Sequence, residues 1–294
     1  MQQAQRPRRS ILYMPGSNPR ALAKGRSLPA DGLILDLEDA VAVDAKEEGR
    51  RTIARTLEDR SAYGRRELVV RVNGLETKWG RADLTGMARA GADAILLPKV
   101  ESAEQVDQAA GVLDGAGSAA DLPIWCMIET PRGVLRVEEI ADHPRVACLV
   151  MGTSDLTKDL RARHTADRAP MLPSLAFCLL AARAAGIDIV DGVHLDLDDA
   201  EGFARSCRQG RDLGFDGKTL IHPRQIEAAN TSFAPDAAEV VWSKRIIEAF
   251  ESASREGKGV VLVDGKLVEN LHVAEARRQV ALAEAIAAMD GAGA

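Results

Sequence analysis

Eight short apolar runs punctuate this chain, at residues 11–16, 32–38, 67–73, 94–100, 123–129, 147–154, 187–194 and 217–223. The stretches between most of them carry helical periodicity and polar faces. Eight strands alternating with helices predict an α/β fold, a TIM (β/α)₈ barrel, whose chemistry gathers at the carboxyl ends of the strands. Those ends hold Glu38, Asp39, Arg71, Asn73, Lys99, Glu129, Asp155, Asp191 and His222.

A length of 294 residues suits one barrel of about 250 residues plus an appendage. After Gln225 the strand–helix alternation stops. A helix with Val240, Val241, Ile247 and Phe250 at helical spacing follows Pro235. An Asp264-Gly265 turn between apolar pairs then marks a β-hairpin, and a last helix carries Val273, Ala276, Val280 and Ala283. The expected division is a barrel over 1–232 and a helix–hairpin–helix lid or subunit-contact extension over 233–294.

Net charge is −6, which disfavours nucleic-acid surfaces and polybasic membrane anchors. No apolar segment reaches the ~18 residues of a membrane span, and the basic start lacks the apolar stretch of a signal peptide. Cys126, Cys148, Cys178 and Cys207 are scattered without a Cys-x-x-Cys pair, so neither zinc nor disulfides are expected. A cytoplasmic protein is the simplest reading.

Four carboxylates carry the chemistry. Glu38 and Asp39 follow strand two, where alternation forbids all of the neighbouring acids from sharing one environment. Glu129 ends strand five and Asp155 follows strand six. Neighbouring strands lie about 5 Å apart, so the pair can reach one cation and leave sites for water and substrate, as Mg²⁺ prefers. The competing reading makes Asp155 a helix cap and Glu129 a solvated acid. Arg71 sits inside an apolar strand and needs an anion, either a structural carboxylate from strand two or a substrate carboxylate. Arg20, Lys24 and Arg26 are either the solvated face of the first helix or a phosphate patch. Asp191, His194 and His222 are weaker signals, and His222 before Pro223 fits a group that satisfies backbone.

The motifs RRSILYMPGSNPR, DGLILDLEDAV, VVRVNG, AILLPKVES, CMIETPRGV, VMGTSDL and FDGKTLIHPRQIEAAN occur in order from residue 8 to 230. With them the chain resembles the citrate-lyase beta-subunit-like CoA ester lyases, which include malyl-CoA lyase, citramalyl-CoA lyase and malyl-CoA thioesterase. The resemblance implies a Mg²⁺ site (Mn²⁺ as substitute) on Glu129 and Asp155, with Arg71 on the acid's carboxylate. It implies CoA phosphates on Arg20 and Lys24, and a homotrimer or homohexamer. Lyases of this group carry an Asp in a C-terminal GKMID-like motif, offered across a subunit boundary; here Glu269 stands at that position. The expected reaction is reversible cleavage of a 3-hydroxy-3-carboxyacyl-CoA, such as malyl-CoA or citramalyl-CoA, into an acyl-CoA and a 2-oxo acid. Gly152 and Thr153 would assist through backbone N–H groups, and Glu38, Asp39 or Glu269 would handle the proton. The rivals are thioester hydrolysis at the same site and a noncatalytic or citrate-lyase-complex subunit.

Overall fold

The computed structural model describes residues 6–291. Residues from Arg8 to Phe233 form one compact unit, and the chain from Ala234 belongs to another. In the first unit, β1 (Ser10–Pro15), β2 (Gly32–Asp36), β3 (Glu67–Arg71) and β4 (Ala94–Leu97) are followed by β5 (Ile124–Ile128), β6 (Val146–Met151), β7 (Asp188–Asp191) and β8 (Gly217–Leu220). All pair in parallel and in sequence order, and β8 returns to β1 to close an eight-stranded barrel. The (β/α)₈ expectation holds, although the strands stop one to three residues earlier than the apolar runs.

Every strand is covered on both faces, which explains the near-continuous aliphatic runs. Inward positions Ile11, Ile34, Val69, Leu96, Trp125 and Val150 fill the barrel. Outward positions Leu12, Leu33, Leu35, Leu68 and Val70 pack beneath the helices. The parity carries to the strand ends: Asp36 follows Ile34, Arg71 follows Val69, and Glu129 follows Met127, so these polar groups inherit the inward direction. The register sets Asp36 beside Arg71 and Ile128 beside Met151.

The amino-terminal floor of the barrel is closed by Arg8. Its Nε and Nη2 each donate to the Glu67 carboxylate at 2.8 Å, Nη1 pairs with Asp188, and the guanidinium lies 4.9 Å from the Trp125 ring centre. The four cysteines are buried free thiols. Among the described residues no helix is long and apolar enough to cross a membrane.

The second unit holds the helices Ala237–Arg255 and Asn270–Asp290 with a two-stranded antiparallel sheet, β9 (Val261–Val263) and β10 (Lys266–Val268). The Asp264-Gly265 turn has φ of 48° and 76°, the double left-handed geometry of a type I′ hairpin. Asp236 rather than Pro235 starts the first of these helices. Its side chain accepts from the Ala238 N–H, and Glu239 reaches back to the Asp236 N–H as a capping box. Ile246, Val263, Val268, Val273 and Ala276 make the unit's small core.

Candidate active site

At the carboxyl ends of the strands lies a cavity of about 330 Å³ whose lining includes Tyr13, Asp36, Asp39, Arg71, Glu129, Gly152, Thr153 and Asp155. Val193 after β7 and Thr219 on β8 also line it, so seven of the eight strands meet at one space, where barrel topology gathers chemistry.

Arg71 is fixed from the strand-two side. Its Nε and Nη2 each donate to one oxygen of Asp36 at 2.7 Å. The guanidinium carbon lies 4.9 Å from the Tyr13 ring centre. The structural-carboxylate reading of Arg71 is the one observed: Asp36 occupies one bidentate edge, and Nη1 faces the other second-strand acids. There Nη1 lies 2.8 Å from Glu38 Oε2 and 3.4 Å from Asp39 Oδ2. The contact with Glu38 is an ion pair without hydrogen-bond alignment, so the buried Oε2 has no hydrogen-bond donor.

The second-strand acids have three environments, as alternation demands. Asp36 is fully buried and clamps Arg71, Glu38 is mostly buried, and Asp39 is open to solvent. Burial pushes the Glu38 carboxyl above its ordinary range, against the opposing pull of Arg71 and Lys99.

Glu129 projects inward just past β5, 4% exposed. Its Oε1 accepts the Lys99 backbone N–H at 2.8 Å. Burial, reinforced by the Glu38 charge and partly offset by Lys99, pushes its carboxyl up to about 7. The carboxylate lies over Gly152, where a Cβ would come within 2.3 Å of Glu129 Cβ and 2.6 Å of Oε2. Asp155 stands inside the first turn of the helix Thr153–Asp159, whose N-cap is Gly152. It is not the cap of that helix, and its Oδ2 lies 3.3 Å from Lys99 Nζ.

Two hard carboxylates beside a polar cavity match the donors Mg²⁺-like cations take when water and substrate complete the shell. Glu129 and Asp155 are the residues that could hold such an ion. Among the described residues no three His, Cys, Asp or Glu side chains converge as a complete protein cage. The buried Glu38 Oε2, which has no hydrogen-bond partner, can take a further polar group, whereas the space over Gly152 is filled by the Glu129 side chain itself.

Several sequence candidates need correction. The Gly152 N–H already donates to the Ile128 carbonyl at 3.0 Å. It is therefore not free to assist, whereas Thr153 opens a helix whose first N–H groups have no helical acceptor. Asp191 does not face the mouth. It is buried outside the barrel, where Lys218 Nζ donates to Oδ2 and Arg168 donates to both oxygens, each at 2.7 Å. His222 accepts the Arg224 N–H through Nδ1, the backbone-satisfying role expected of it. Arg20 and Lys24 are exposed on the helix Pro19–Gly25, while Arg26 pairs with Asp59 at 3.2 Å. Glu269 belongs to the second unit, at the N-cap of the helix Asn270–Asp290.

Reading the sequence alone undervalued three residues. Asp36 and Tyr13 were findable from strand parity, since each sits two positions after an inward Ile. Lys99 was not: its left-handed backbone, φ 49°, carries no sequence signal in a lysine.

A model of the HpcH/HpaI aldolase/citrate lyase family matches residues 9–223. The (3S)-malyl-CoA thioesterase of Cereibacter sphaeroides is 54% identical over 282 residues, 96% of this chain and 96% of its own length. Citrate lyase subunit beta of Escherichia coli is 36% identical over 294 residues, covering 96% of this chain and 95% of that one. Among solved structures, protein CitE from Mycobacterium tuberculosis in complex with magnesium, acetoacetate and coenzyme A superposes with a TM-score of 0.73 at 30% identity, spanning 94% of this chain and 97% of that chain.

Proposed function

Because the chain belongs to the HpcH/HpaI aldolase/citrate lyase family, we propose that it is a Mg²⁺-dependent enzyme of 3-hydroxy-3-carboxyacyl-CoA thioesters, and that hydrolysis of a malyl-CoA-type ester is its principal reaction. The observation that carries the reading is the convergence of Glu129, Asp155 and Arg71 on one cavity of about 330 Å³. The choice of hydrolysis over carbon–carbon cleavage is supported by the 54% identity to a thioesterase along nearly the whole chain.

A divalent ion on Glu129 and Asp155 would supply Lewis-acid polarisation of the substrate's oxygens. The remaining work falls to the protein. Arg71, held by Asp36 and stacked on Tyr13, presents Nη1 to the substrate carboxylate without having to be ordered at the moment of binding. Glu38, whose buried Oε2 has no hydrogen-bond donor, holds the attacking water and takes its proton; a positioned base of this kind contributes about 10²–10⁴-fold. Water adds to the thioester carbonyl, the C–S bond breaks, and the CoA thiolate leaves with a proton returned from Glu38. First-turn N–H groups at Thr153 stabilise charge on the carbonyl oxygen, and Arg20 and Lys24 meet the CoA phosphates. Asp39 serves as an alternate water-holding acid, and Glu269 as an acid–base group supplied within a homotrimer or homohexamer.

A second reading, cleavage to an acyl-CoA and a 2-oxo acid such as glyoxylate or pyruvate, is favoured by the full-length similarity to citrate lyase subunit beta. One assay separates the two. Purified protein with Mg²⁺ and malyl-CoA or citramalyl-CoA is expected to release free CoA thiol and a hydroxy acid without 2-oxo acid. Accumulation of 2-oxo acid with acetyl-CoA, and no thiol, would establish the lyase and overturn hydrolysis.

A further inference from the structure

Lys99 touches three of the acids at the mouth. Its backbone N–H donates to Glu129 Oε1 at 2.8 Å, its Nζ donates to Glu38 Oε1 at 2.8 Å, and Nζ lies 3.3 Å from Asp155 Oδ2. A lysine with φ of 49° is backbone strain of about 1–3 kcal/mol, retained only where surrounding contacts over-determine it. Here the left-handed turn after Pro98 lets one residue aim its N–H at Glu129 while its side chain folds over the other two carboxylates. The Lys99 side chain is two-fifths exposed, so it has a path out to solvent.

We propose that the Lys99 ammonium is a resident counter-ion that occupies the Asp155 side of the cation site in the metal-free protein, bridging to Glu38, and is expelled when a divalent cation enters. The inference rests on the reading of Glu129 and Asp155 as metal ligands. An ammonium and a divalent ion cannot both occupy the contact with Asp155 Oδ2, because each takes the same lone pairs and like charges repel at that range. In the metal-free protein one of the two carboxylate charges that Lys99 Nζ touches is thereby offset. Metal affinity is lowered by the work of moving Lys99. Once expelled, Lys99 keeps its backbone bond to Glu129, and its ammonium is free at the mouth of a cavity built for anionic substrates.

The test is Mn²⁺ binding to the full-length protein without substrate, followed by electron paramagnetic resonance of free Mn²⁺. Lys99→Met keeps the methylene stem and removes the charge, while Lys99→Asn removes the charge and tolerates the left-handed backbone should Met not fold. Both are expected to bind Mn²⁺ about tenfold more tightly than the parent, the scale of one competing charge in a partly solvated site. Neutralising Lys158, an exposed lysine 3.7 Å from Asp159, measures the effect of net charge alone. It is expected to change affinity far less. A crystal structure of the Mn²⁺-loaded protein is expected to show Lys99 Nζ out of contact with Asp155. Equal Mn²⁺ affinity in parent and Lys99 variants overturns the counter-ion role while leaving the metal site standing. Equal tightening by Lys158→Met and Lys99→Met also overturns it. No binding by any of these proteins fails the metal reading itself, and the counter-ion role with it.

Discussion

At the scale of single residues, the site is a contest between burial and charge. Glu129 shows the outcome most clearly: burial raises its carboxyl from an ordinary 4.5 to about 7, even with Lys99 and Arg71 pulling the other way. The fold therefore favours its neutral form. That stabilising contribution is complete below about pH 4.5 and is lost as pH rises through about 7. A cation needs the carboxylate, so the sign for binding is opposite. Mn²⁺ affinity should climb about tenfold per pH unit below about 7 and flatten above it, measured by Mn²⁺ titration from about pH 5 to 8. A flat profile over that window would remove Glu129 from the ligand set. The residue scale is also where sequence was least informative. The alternation along strand two states that its acids differ in environment, and they do. It does not state that Asp36 would take the Nε and Nη2 edge of Arg71, because that depends on a register between strands. Nor does a lysine advertise a left-handed backbone.

At the scale of elements, the sequence was far more legible. All eight strands lie within the apolar runs that announce them or start one residue earlier, since a strand buried on both faces must be aliphatic throughout. The runs overshoot at their carboxyl ends because residues such as Glu38 and Asn73 continue the apolar pattern's direction but bond to loops and side chains. Asp191 went astray because a strand-end position alone does not fix the face: parity does, and Asp191 follows inward Val190 by one residue, so it points outward. The pairing of β5 with β6 shows how elements build the site. Ile128 lies beside Met151, so Glu129 and Gly152 follow side by side, and only a residue without a side chain leaves space for the carboxylate. Gly152→Ala is thus expected to push Glu129 aside. Mn²⁺ affinity should fall about 10–100-fold, as for disturbed ligand support elsewhere, while thermal unfolding confirms that the barrel persists. Unchanged affinity would show that Glu129 can hold an ion from another rotamer.

At the scale of the whole molecule, the two ends of the barrel do different jobs. The mouth gathers acids, an arginine and a strained lysine, whereas the floor is closed by Arg8 between Glu67, Asp188 and Trp125. Removing one partner of a buried ion pair costs about 3–5 kcal/mol because the other charge stays buried. Arg8→Met should lose roughly that much in denaturant unfolding while kcat, measured well below the new transition, stays near the parent value. A large loss of kcat at unchanged stability would mean that the floor communicates with the mouth. Closure itself constrains how the protein is made. The last strand, β8, lies beside the first, with Ser10 opposite Lys218 and Leu12 opposite Leu220. On the ribosome, β1 must wait for its second neighbour until on the order of 200 further residues have emerged, roughly 10–40 s at ordinary elongation rates. Throughout that interval a nascent chain displays aliphatic strands with an open edge, the kind of surface that recruits other chains. Synthesis speed and chaperone supply therefore join the stability of the finished barrel in setting how much of this protein a cell obtains.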